Sequence, residues 1–249
     1  MIISAMSVPV TLIQQFPFFD DLSQSELANL AAISQLVSAK PNHEILSAGS
    51  HVQYLSFVVT GQLQKNELAS EGRVVSLSIL GSGDLVGLLA LADEQPITYS
   101  VRTLSHCNLL VVPMANARHL SLSHPLIRKR VFAMLAALVH RANEERAMLG
   151  LPNAFHRIFA QLQLLTKTPS TDPTIKVIPR QQDIANMVNT SRETVSRALQ
   201  TLIKLGILSK TGHQIHIQQS HLLERLAEQG PNALESELES DPPVKETPQ

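Results

Sequence analysis

Between residues 51 and 113 the apolar residues gather in short runs, and turn-forming residues separate one run from the next. The runs are YLSFVV, QLQKNEL, VVSLSIL, LVGLLAL, TYSVRTL and NLLVVP, and the breaks include Thr60-Gly61, SEGR and GSGD. Short runs bounded by turn signals are typical of β-strands. Because the strands are short and closely spaced, the pattern predicts an antiparallel sandwich or roll rather than alternating strands and helices. The segment before them, SQSELANLAAIS, predicts a helix that Ser23 and Glu26 begin with a capping box.

From Ser123 to Leu149 the spacing of apolar residues becomes helical, which predicts one long helix closed by Gly150 and Pro152. At ~1.5 Å per residue this helix would be ~40 Å long. Its apolar residues are too many for a helix with a single neighbour, so we expect one face to pack on the roll and the other on the same helix of a second chain. The predicted seam is Val131, Leu135, Leu138, Ala142 and Leu149, widened by Ile127, Phe132 and Met134. The alternative is a helix buried wholly inside one domain.

Residues 153–228 carry the signals of a second, smaller domain. In chain order they predict an amphipathic helix (NAFHRIFAQLQLLTK), a loop (PSTDP), a short strand (IKVIP), two helices, and a strand, turn and strand (ILSKTGHQIHI). The two helices, Gln181–Val188 and Ser191–Lys204, have only Asn189 and Thr190 between them. Asparagine tolerates the left-handed backbone that such a tight corner often needs. This layout predicts a helix-turn-helix followed by a wing.

The second of these helices has two unlike faces. Its apolar stripe is Val195, Ala198, Leu199, Leu202 and Ile203, and its opposite face is Arg192, Glu193, Ser196, Arg197 and Gln200. Ser191 is placed to cap its start, and Gly206 to end it after Leu205. An ordinary surface helix can have the same two faces, so the neighbouring elements decide between the two interpretations. The tight corner before the helix, the wing after it and the dimer helix ahead of the domain favour DNA binding.

The polar residues of this helix match the chemistry of base pairs. The guanidinium groups of Arg192 and Arg197 fit the O6 and N7 acceptors of guanine, and the carboxylate of Glu193 can accept from the N4 amine of cytosine. Four residues are suited to phosphate contacts that set position without reading sequence: Arg180, Thr190, Ser191 and Ser196. We therefore predict a reader of double-stranded DNA. The competing interpretation is a winged domain that binds another protein, and the Arg-Glu-Arg set argues against it.

Composition and charge fit two modest domains and an acidic tail. The chain has 249 residues, 44% of them hydrophobic, and a net charge of −1. Residues 151–229 hold 9 basic and 5 acidic residues, whereas 230–249 hold 1 basic and 5 acidic residues, so the positive excess lies around the helix-turn-helix. The tail has too few large apolar residues to fold, and we expect it to be disordered. The predicted domains are a sensory roll (15–122), a dimerisation helix (123–150), a DNA-binding domain (151–228) and the tail (229–249).

Several classes of protein are excluded by what the sequence lacks. No window holds the ~18 consecutive apolar residues of a membrane span, and MIISAMSVPVTLI lacks the basic start of a signal peptide, so we expect a cytoplasmic protein. The single cysteine, Cys107, excludes a disulfide framework and an iron–sulfur cluster. Since no triad order, paired-carboxylate motif, phosphate loop or metal-ligand spacing occurs, we predict neither an enzyme nor a metal site.

The order of roll, long helix and winged helix-turn-helix resembles the family of bacterial transcription regulators typified by the cyclic-AMP receptor protein and the anaerobic regulator of fumarate and nitrate reduction. The resemblance covers roughly residues 15–220 and is sharpest at SRETVSRAL, in the predicted recognition helix. It implies an α+β fold with a cyclic-nucleotide-binding-like roll, base contacts by Arg192, Glu193 and Arg197, and a phosphate contact by Arg180. It also implies a homodimer, contact with RNA polymerase, and half-sites similar to TGTGA.

The roll departs from the family's nucleotide binders at the positions that hold the cyclic nucleotide. Leu88 follows Gly87, where the resemblance implies an acidic residue for the ribose. Ile97-Thr98 stand where it implies an arginine for the cyclic phosphate. Because burying a phosphate without its cation costs several kcal/mol of binding free energy, we do not expect cyclic AMP to be the effector.

Other effectors stay open, and the sequence identifies no cofactor. A 2-oxo acid would need a cation, which Arg141 on the long helix would supply to a pocket near Gly87 and Leu88; the alternative is a solvated helix arginine. A cyclic dinucleotide is a further candidate. Haem would need an axial ligand from His51, His106, His119, His124 and His140. The last alternative is a dimer that needs no effector.

Overall fold

The computed structural model describes residues 2–4, 8–68, 74–166, 174–175, 180–211 and 214–233. The chain forms two compact units, residues 1–140 and 141–249. The predicted SEGR and PSTDP turns, the tip of the wing and residues 234–249 lie wholly or largely outside the described residues. Both units combine helices with antiparallel strands, which confirms the predicted α+β class.

The first unit is built from two antiparallel sheets with helices before, between and after their strands. Its strands are β1 (Ile2–Ser4), β2 (Gln35–Ala39), β3 (Glu44–Leu46), β4 (Tyr54–Thr60), β5 (Leu63–Leu68), β6 (Val74–Leu80), β7 (Leu85–Val86), β8 (Ser100–Thr103) and β9 (Cys107–Pro113). Its helices are α1 (Val10–Ile13), α2 (Gln24–Ile33), α3 (Leu88–Asp93), α4 (Met114–Ser123) and the greater part of α5 (Pro125–Leu149).

The two sheets have the order β1-β2-β9-β4-β7 and β3-β8-β5-β6. Most strand pairs join strands that are separated in sequence, as in β4 against β9, where Phe57 pairs with Leu110, and all of them are antiparallel. This confirms the antiparallel roll. Phe57 also meets the rings of Phe16, Phe18 and Phe19, whose centroids lie 4.9–5.5 Å from its own. The segment before α2 is therefore anchored in the same core as the strands.

Helix α2 begins with the predicted capping box. The backbone N–H of Glu26 donates to the Ser23 hydroxyl at 3.3 Å, and the Ser23 backbone N–H donates to the Glu26 carboxylate at 2.8 Å. The hydrogen bond from the Ser23 hydroxyl, followed by that from the Ser23 backbone, lowers the pKa of Glu26. Two helix-end donors are satisfied by this exchange, as the spacing of Ser23 and Glu26 predicts.

The prediction of a strand at LVGLLAL is wrong for most of its length. Only Leu85–Val86 are a strand, and helix α3 begins at Leu88. Gly87 between them has φ +100°, and a Cβ there would lie 3.2 Å from Val52 Cγ1. The left-handed turn therefore breaks the strand, and the apolar run continues as a short helix whose residues Leu88, Ala90 and Leu91 are buried.

Helix α5 begins two residues later than predicted, at Pro125, because residues 114–123 form the separate helix α4. Ile127 and Val131 are buried in the core of the first unit, and Leu135 is partly buried against it. Two residues predicted for the seam with a second chain, Val131 and Leu135, thus face the roll of their own chain. The exposed apolar side chains lie elsewhere, with Phe132 65% and Val139 60% exposed.

The second unit consists of short helices packed on a small sheet. After the last turns of α5 come α6 (Ala154–Thr166), β10 (Thr174–Ile175), α7 (Gln181–Met187), α8 (Arg192–Lys204), β11 (Leu208–Thr211), β12 (Gln214–Ile217) and α9 (Ser220–Gln229). The sheet has the order β10-β12-β11 and is antiparallel. Helix α9, which the sequence analysis did not predict, buries Leu223 and Leu226 in the core of this unit.

The chain continues to pack for a few residues beyond the predicted start of the tail. Gly230 is buried, and a Cβ there would lie 2.9 Å from His156 Nδ1. Ala233 is also buried in the core of the second unit. The predicted disorder of the tail thus concerns at most residues 234–249, which lie outside the described residues.

Candidate DNA-binding site

The corner between α7 and α8 has the geometry that its sequence predicts. Asn189 has φ +49°, which confirms the left-handed backbone expected at this position. The backbone N–H of Thr190 donates to the carbonyl of Ala185 at 2.9 Å, and that of Asn189 donates to Asn186 at 3.5 Å. This pair of hydrogen bonds is the Schellman arrangement that satisfies the last carbonyls of a helix. The chain therefore turns sharply within two residues.

The two helices share one apolar core. From α7 and its end come Ile184, Ala185 and Val188, and from α8 come Val195, Ala198, Leu199 and Leu202, all of them buried. Ala185 leaves room for the close crossing of the helices. Ile203, predicted for the same stripe, is instead 39% exposed. The stripe is therefore one residue narrower than its spacing suggested.

Helix α8 begins with a side-chain cap from Ser191. The backbone N–H of Thr194 donates to the Ser191 hydroxyl at 3.2 Å, and the hydroxyls of Ser191 and Thr194 lie 3.0 Å apart. At the other end Gly206, with φ +67°, follows the last helical turn. Both predicted ends of the helix are confirmed.

The three predicted base-reading residues lie exposed on the first turns of α8. Arg192, Glu193 and Arg197 are all exposed, whereas the opposite side of the helix is buried. The Arg197 Nη2 donates to the Thr194 hydroxyl at 3.4 Å, a contact that restrains the guanidinium group. This face can therefore present two guanidinium groups and one carboxylate to the edges of bases without disturbing the core.

The Glu193 carboxylate is held in its ionised form. The hydrogen bond from its own backbone N–H is the main cause of its lowered pKa, followed by the Ser191 hydroxyl and the positive charges of Arg192 and Arg197. A carboxylate at the start of a helix also interacts favourably with the helix dipole. Glu193 is therefore an acceptor at neutral pH, as contact with a cytosine amine requires.

The predicted phosphate-contact residues surround the same helix ends. Arg180 is exposed at the start of α7, Ser191 is exposed at the start of α8, and Thr190 and Ser196 are partly exposed. Strands β11 and β12 pair antiparallel up to Thr211 and Gln214, which forms the stem of the predicted wing. The tip, residues 212–213, lies outside the described residues.

Two families of known domains match the chain. The Cyclic nucleotide-binding domain matches residues 36–124, and the Crp-like helix-turn-helix domain matches residues 156–226. Together these matches cover more than half of the chain, in the order that the structure has them. The chain belongs to the CRP/FNR family of transcription regulators.

Named relatives in the CRP/FNR family are DNA-binding transcription regulators, and this chain is one as well. The CRP-like cAMP-activated global transcriptional regulator of Mycobacterium tuberculosis is 27% identical over 213 residues, which cover 84% of this chain and 95% of the relative. The cAMP-activated global transcriptional regulator CRP of Escherichia coli is 29% identical over 175 residues, which cover 69% and 83%. The structure of FixK2 from Bradyrhizobium japonicum has a TM-score of 0.70 at 22% identity, covering 78% of this chain and 97% of that one, a likeness of fold.

The two residues predicted to replace charged partners of a cyclic nucleotide are part of the core of this chain. Leu88 is 6% and Ile97 is 5% exposed, and both belong to the apolar cluster of the first unit. Arg141, predicted as a cation for an acidic effector, forms an ion pair with Glu145 one turn along α5, at 3.1 Å. At these two positions the structure thus has buried apolar side chains and no charge.

The first unit also has a pocket that the sequence analysis did not predict. Its volume is ≈ 420 Å³, and its lining includes His51, Tyr54, Glu94, Met114 and Arg118. The Arg118 Nη1 lies 3.2 Å from the Glu94 carboxylate, and its Nη2 donates to the carbonyl of Ala90 at 3.1 Å. Arg118 in the lining of this pocket is thus paired with a carboxylate of the same chain, while its buried Nε has no hydrogen-bond partner within the described residues.

The histidines considered for haem lie mostly at the surface. His51, His106, His119 and His140 are exposed, and His124 is partly exposed and accepts the N–H of Ile127 at the start of α5, at 3.4 Å. Among the residues that the structure describes, no group of three or more His, Cys, Asp or Glu side chains could hold a metal ion. Nor does any helix in that part of the chain have both the length and the apolar character to cross a membrane.

Sequence reasoning overlooked Arg157, which holds the corner of the helix-turn-helix. From α6 its guanidinium group donates to the carbonyls of Val188 and Asn189, which form the corner. It also donates to the carbonyls of Leu151 and Pro152, which follow α5. No local pattern marks this residue, because its partners are carbonyls and two of them lie 31 and 32 residues further along the chain.

Proposed function

We propose that the protein is a homodimeric regulator that binds a palindromic DNA site and acts on RNA polymerase at its target promoters. The observation that carries this proposal is the exposed set of Arg192, Glu193 and Arg197 at the start of α8, opposite a fully buried face. In a helix-turn-helix the first residues of the second helix reach into the major groove. Because the set resembles that of the cyclic-AMP receptor protein, the expected half-sites are similar to TGTGA.

Dimerisation through α5 is supported by apolar side chains that its own chain leaves uncovered. Phe132 and Val139 are seven residues apart, with Ala136 between them, so they share one face of the helix. Leu138 and Ala142, which belong to the seam predicted from the sequence, are exposed as well. A large exposed apolar surface is costly in water, and a second copy of the helix would cover it. A twofold dimer would place two α8 helices about one turn of DNA apart, which makes the site a palindrome.

The regulator is proposed to respond to something other than cyclic AMP, or to need no effector. The support is the burial of Leu88 and Ile97 in the apolar core, where a cyclic phosphate and a ribose would require charged partners. The relatives from M. tuberculosis and E. coli are named as cAMP-activated, so this chain would differ from them in its signal rather than in its DNA-binding unit.

The test is a selection of random duplexes by the wild-type protein and three variants. Arg197→Ala should weaken binding to the selected site by about 1–3 kcal/mol and relax the sequence preference at one G·C pair. Arg180→Ala should weaken specific and non-specific binding together and reduce the salt dependence, as a lost phosphate contact does. Lys204→Ala is the control, because Lys204 is exposed at the far end of the same helix.

The selection also separates DNA binding from the competing interpretation. If the wild type enriches no sequence and its binding does not weaken with salt, the winged unit is a protein-interaction module instead. If Arg197→Ala keeps the wild-type preference and affinity, α8 is not the reading helix.

A further inference from the structure

Arg157 joins two places in the second unit that are far apart in sequence. Its Nε donates to the Val188 carbonyl at 2.8 Å and its Nη2 to Asn189 at 3.2 Å. Its Nη1 donates to Leu151 at 2.7 Å and, more weakly, to Pro152 at 3.3 Å. One side chain thus spans the corner before α8 and the segment that leaves α5.

These four acceptors explain why the residue is an arginine. The carbonyls at the end of a helix have no partner within the helix, and a cation there also interacts favourably with the helix dipole. Val188 and Asn189 end α7, and Leu151 and Pro152 follow the last turn of α5. A guanidinium group has five N–H donors in a fixed plane, so it can serve two helix ends together, whereas a lysine ammonium group acts as a single point.

The contacts of Arg157 are to dipoles rather than to a charge. Arg118, Arg130 and Arg141 each form an ion pair with a carboxylate, whereas the four hydrogen bonds of Arg157 all go to backbone carbonyls. The stability of these four hydrogen bonds therefore depends on the positions of the four carbonyl groups relative to one another. If the segment after α5 shifts relative to the corner, one pair of hydrogen bonds must lengthen, because the planar group cannot follow both.

The corner is the part of the unit that aims the reading residues. Asn189, one of the acceptors, has the left-handed backbone of the turn, and Ser191, the cap of α8, is two residues further on. Arg192 follows immediately and Glu193 comes next. The direction in which α8 starts is thus set by backbone that Arg157 holds.

We propose that Arg157 is a positioning residue for DNA reading, which couples the exit of α5 to the orientation of α8. This inference rests on the proposed reading role of Arg192, Glu193 and Arg197. Through this coupling, a change at Leu151 and Pro152 reaches the corner before α8 and the first residues of the recognition helix. Arg157 then governs discrimination between sites more than affinity for DNA as such.

The experiment uses the full chain with Arg157→Lys, Arg157→Gln and a control, Arg146→Gln. Arg146 is an exposed arginine near the end of α5, so its substitution removes the same charge from the same unit. For each protein, fluorescence anisotropy gives the Kd for the selected duplex and for a scrambled duplex, and thermal unfolding checks that the chain is folded at the assay temperature.

We expect Arg157→Lys to keep the affinity for scrambled DNA within about twofold of wild type, because the charge is retained. The ratio of specific to non-specific affinity should fall roughly tenfold, the size of effect that a misplaced base contact has. Arg157→Gln should show the same fall in the ratio, with a loss on scrambled DNA no larger than that of Arg146→Gln. A lysine variant with the wild-type ratio would overturn the proposal, as would equal losses on both duplexes.

Amide hydrogen exchange without DNA tests the coupling independently of DNA reading. Both Arg157 variants should exchange faster at Asn189 to Arg192, whereas the buried turns of α8 from Ala198 to Leu202 should keep their wild-type protection. Unchanged exchange at the corner would contradict the coupling. If instead the wild type shows no site preference while the corner responds as expected, the proposed function fails and the coupling stands.

Discussion

Ser191 shows how much one residue does at the start of the recognition helix. Its hydroxyl accepts the N–H of Thr194 at 3.2 Å, and its hydrogen bond to Glu193 helps to lower the pKa of that carboxyl group. A carboxyl group whose pKa is lowered on folding stabilises the folded state above its ordinary pKa of 4.5, and this contribution is lost as the pH falls through the lowered value. Cap and carboxylate therefore support one another at neutral pH.

Ser191→Ala should lower the free energy of unfolding by about 1 kcal/mol at pH 7, the usual cost of losing a helix cap. The variant should also raise the pKa of Glu193, which loses one of its hydrogen bonds. Urea unfolding measures the first effect, and NMR titration of the Glu193 side chain measures the second. Ser220→Ala is the control, because α9 has no side-chain cap and should change by less than about 0.5 kcal/mol. If both substitutions lowered the free energy of unfolding equally, the Ser191 cap would not contribute to stability.

Single residues also mark the limit of what the sequence could tell. Asn189, Ser191 and Gly206 were predictable, because tight corners and helix ends select a few residue types for reasons of local geometry. The role of Arg157 was not, since its acceptors at Val188 and Asn189 are backbone groups that any residue supplies. Local preferences can be seen in a sequence, whereas a contact between distant backbone groups becomes visible only with the fold.

At the scale of the element, α5 shows why an apolar pattern does not assign its own partner. The pattern correctly predicted a long helix with two apolar sides, but Val131 and Leu135, which it predicts for the seam with a second chain, pack against the roll of their own chain. Helical spacing gives the angle between residues and not the direction in which the core lies. The same limit explains α3, where the apolar run LVGLLAL fits a strand and a buried short helix equally well.

The double substitution Phe132→Glu and Val139→Glu should convert a dimer to monomers, because it places charge in an apolar seam. Analytical ultracentrifugation should show the monomer, and binding to the palindromic duplex should weaken by more than about tenfold. Ala137→Glu is the control for added charge on an exposed position of the same helix. A variant that remains dimeric would place the dimer contact elsewhere, and a wild type that remains monomeric with DNA present would contradict dimerisation itself.

At the scale of the whole molecule, the matched domains and the core residues point to different conclusions about the signal. The first unit matches the Cyclic nucleotide-binding domain over residues 36–124, and yet Leu88 and Ile97, which we predict to replace charged partners of a cyclic nucleotide, are buried in its apolar core. A fold can be retained while its site changes, so the match in fold does not carry the ligand with it. This change could be predicted from the sequence, because Leu88 and Ile97 lie in a short segment where the family resemblance implies charged residues.

Cyclic AMP should therefore show no binding at micromolar concentrations in isothermal titration calorimetry. The physical reason is that Ile97 supplies no cation for the phosphate and Leu88 no carboxylate for the ribose at the positions where the family resemblance implies them. The cAMP-activated relative from M. tuberculosis, titrated alongside, is the positive control. A micromolar or tighter Kd for this chain would show that another cation holds the phosphate.

A thermal-shift screen with cyclic dinucleotides, 2-oxo acids and haem would then search for the signal, because a ligand stabilises the state that it binds.

The end of the chain gives a second prediction at this scale. Truncation after Ala233 should leave specific DNA binding intact, because residues 234–249 carry five acidic residues and one basic residue and would be repelled by phosphate. Truncation after Gln229 should in addition lower the melting temperature, since it removes Gly230 and Ala233 from the core. Anisotropy and thermal unfolding of both truncations measure the two effects. Loss of specific binding on truncation after Ala233 would mean that the tail takes part in recognition.

The two faces of α8 have a consequence for how such a regulator can evolve. Its buried face consists of Val195, Ala198, Leu199 and Leu202, whereas the proposed base contacts come from exposed side chains that leave this core untouched. Substitutions on the exposed face change stability little, so selection can test new operators one residue at a time without passing through unfolded intermediates. Under the proposed dimerisation through α5, a duplicated gene can be redirected to another set of promoters while both copies keep the same dimer helix. New circuits built in this way would begin with mixed dimers, which read one old and one new half-site.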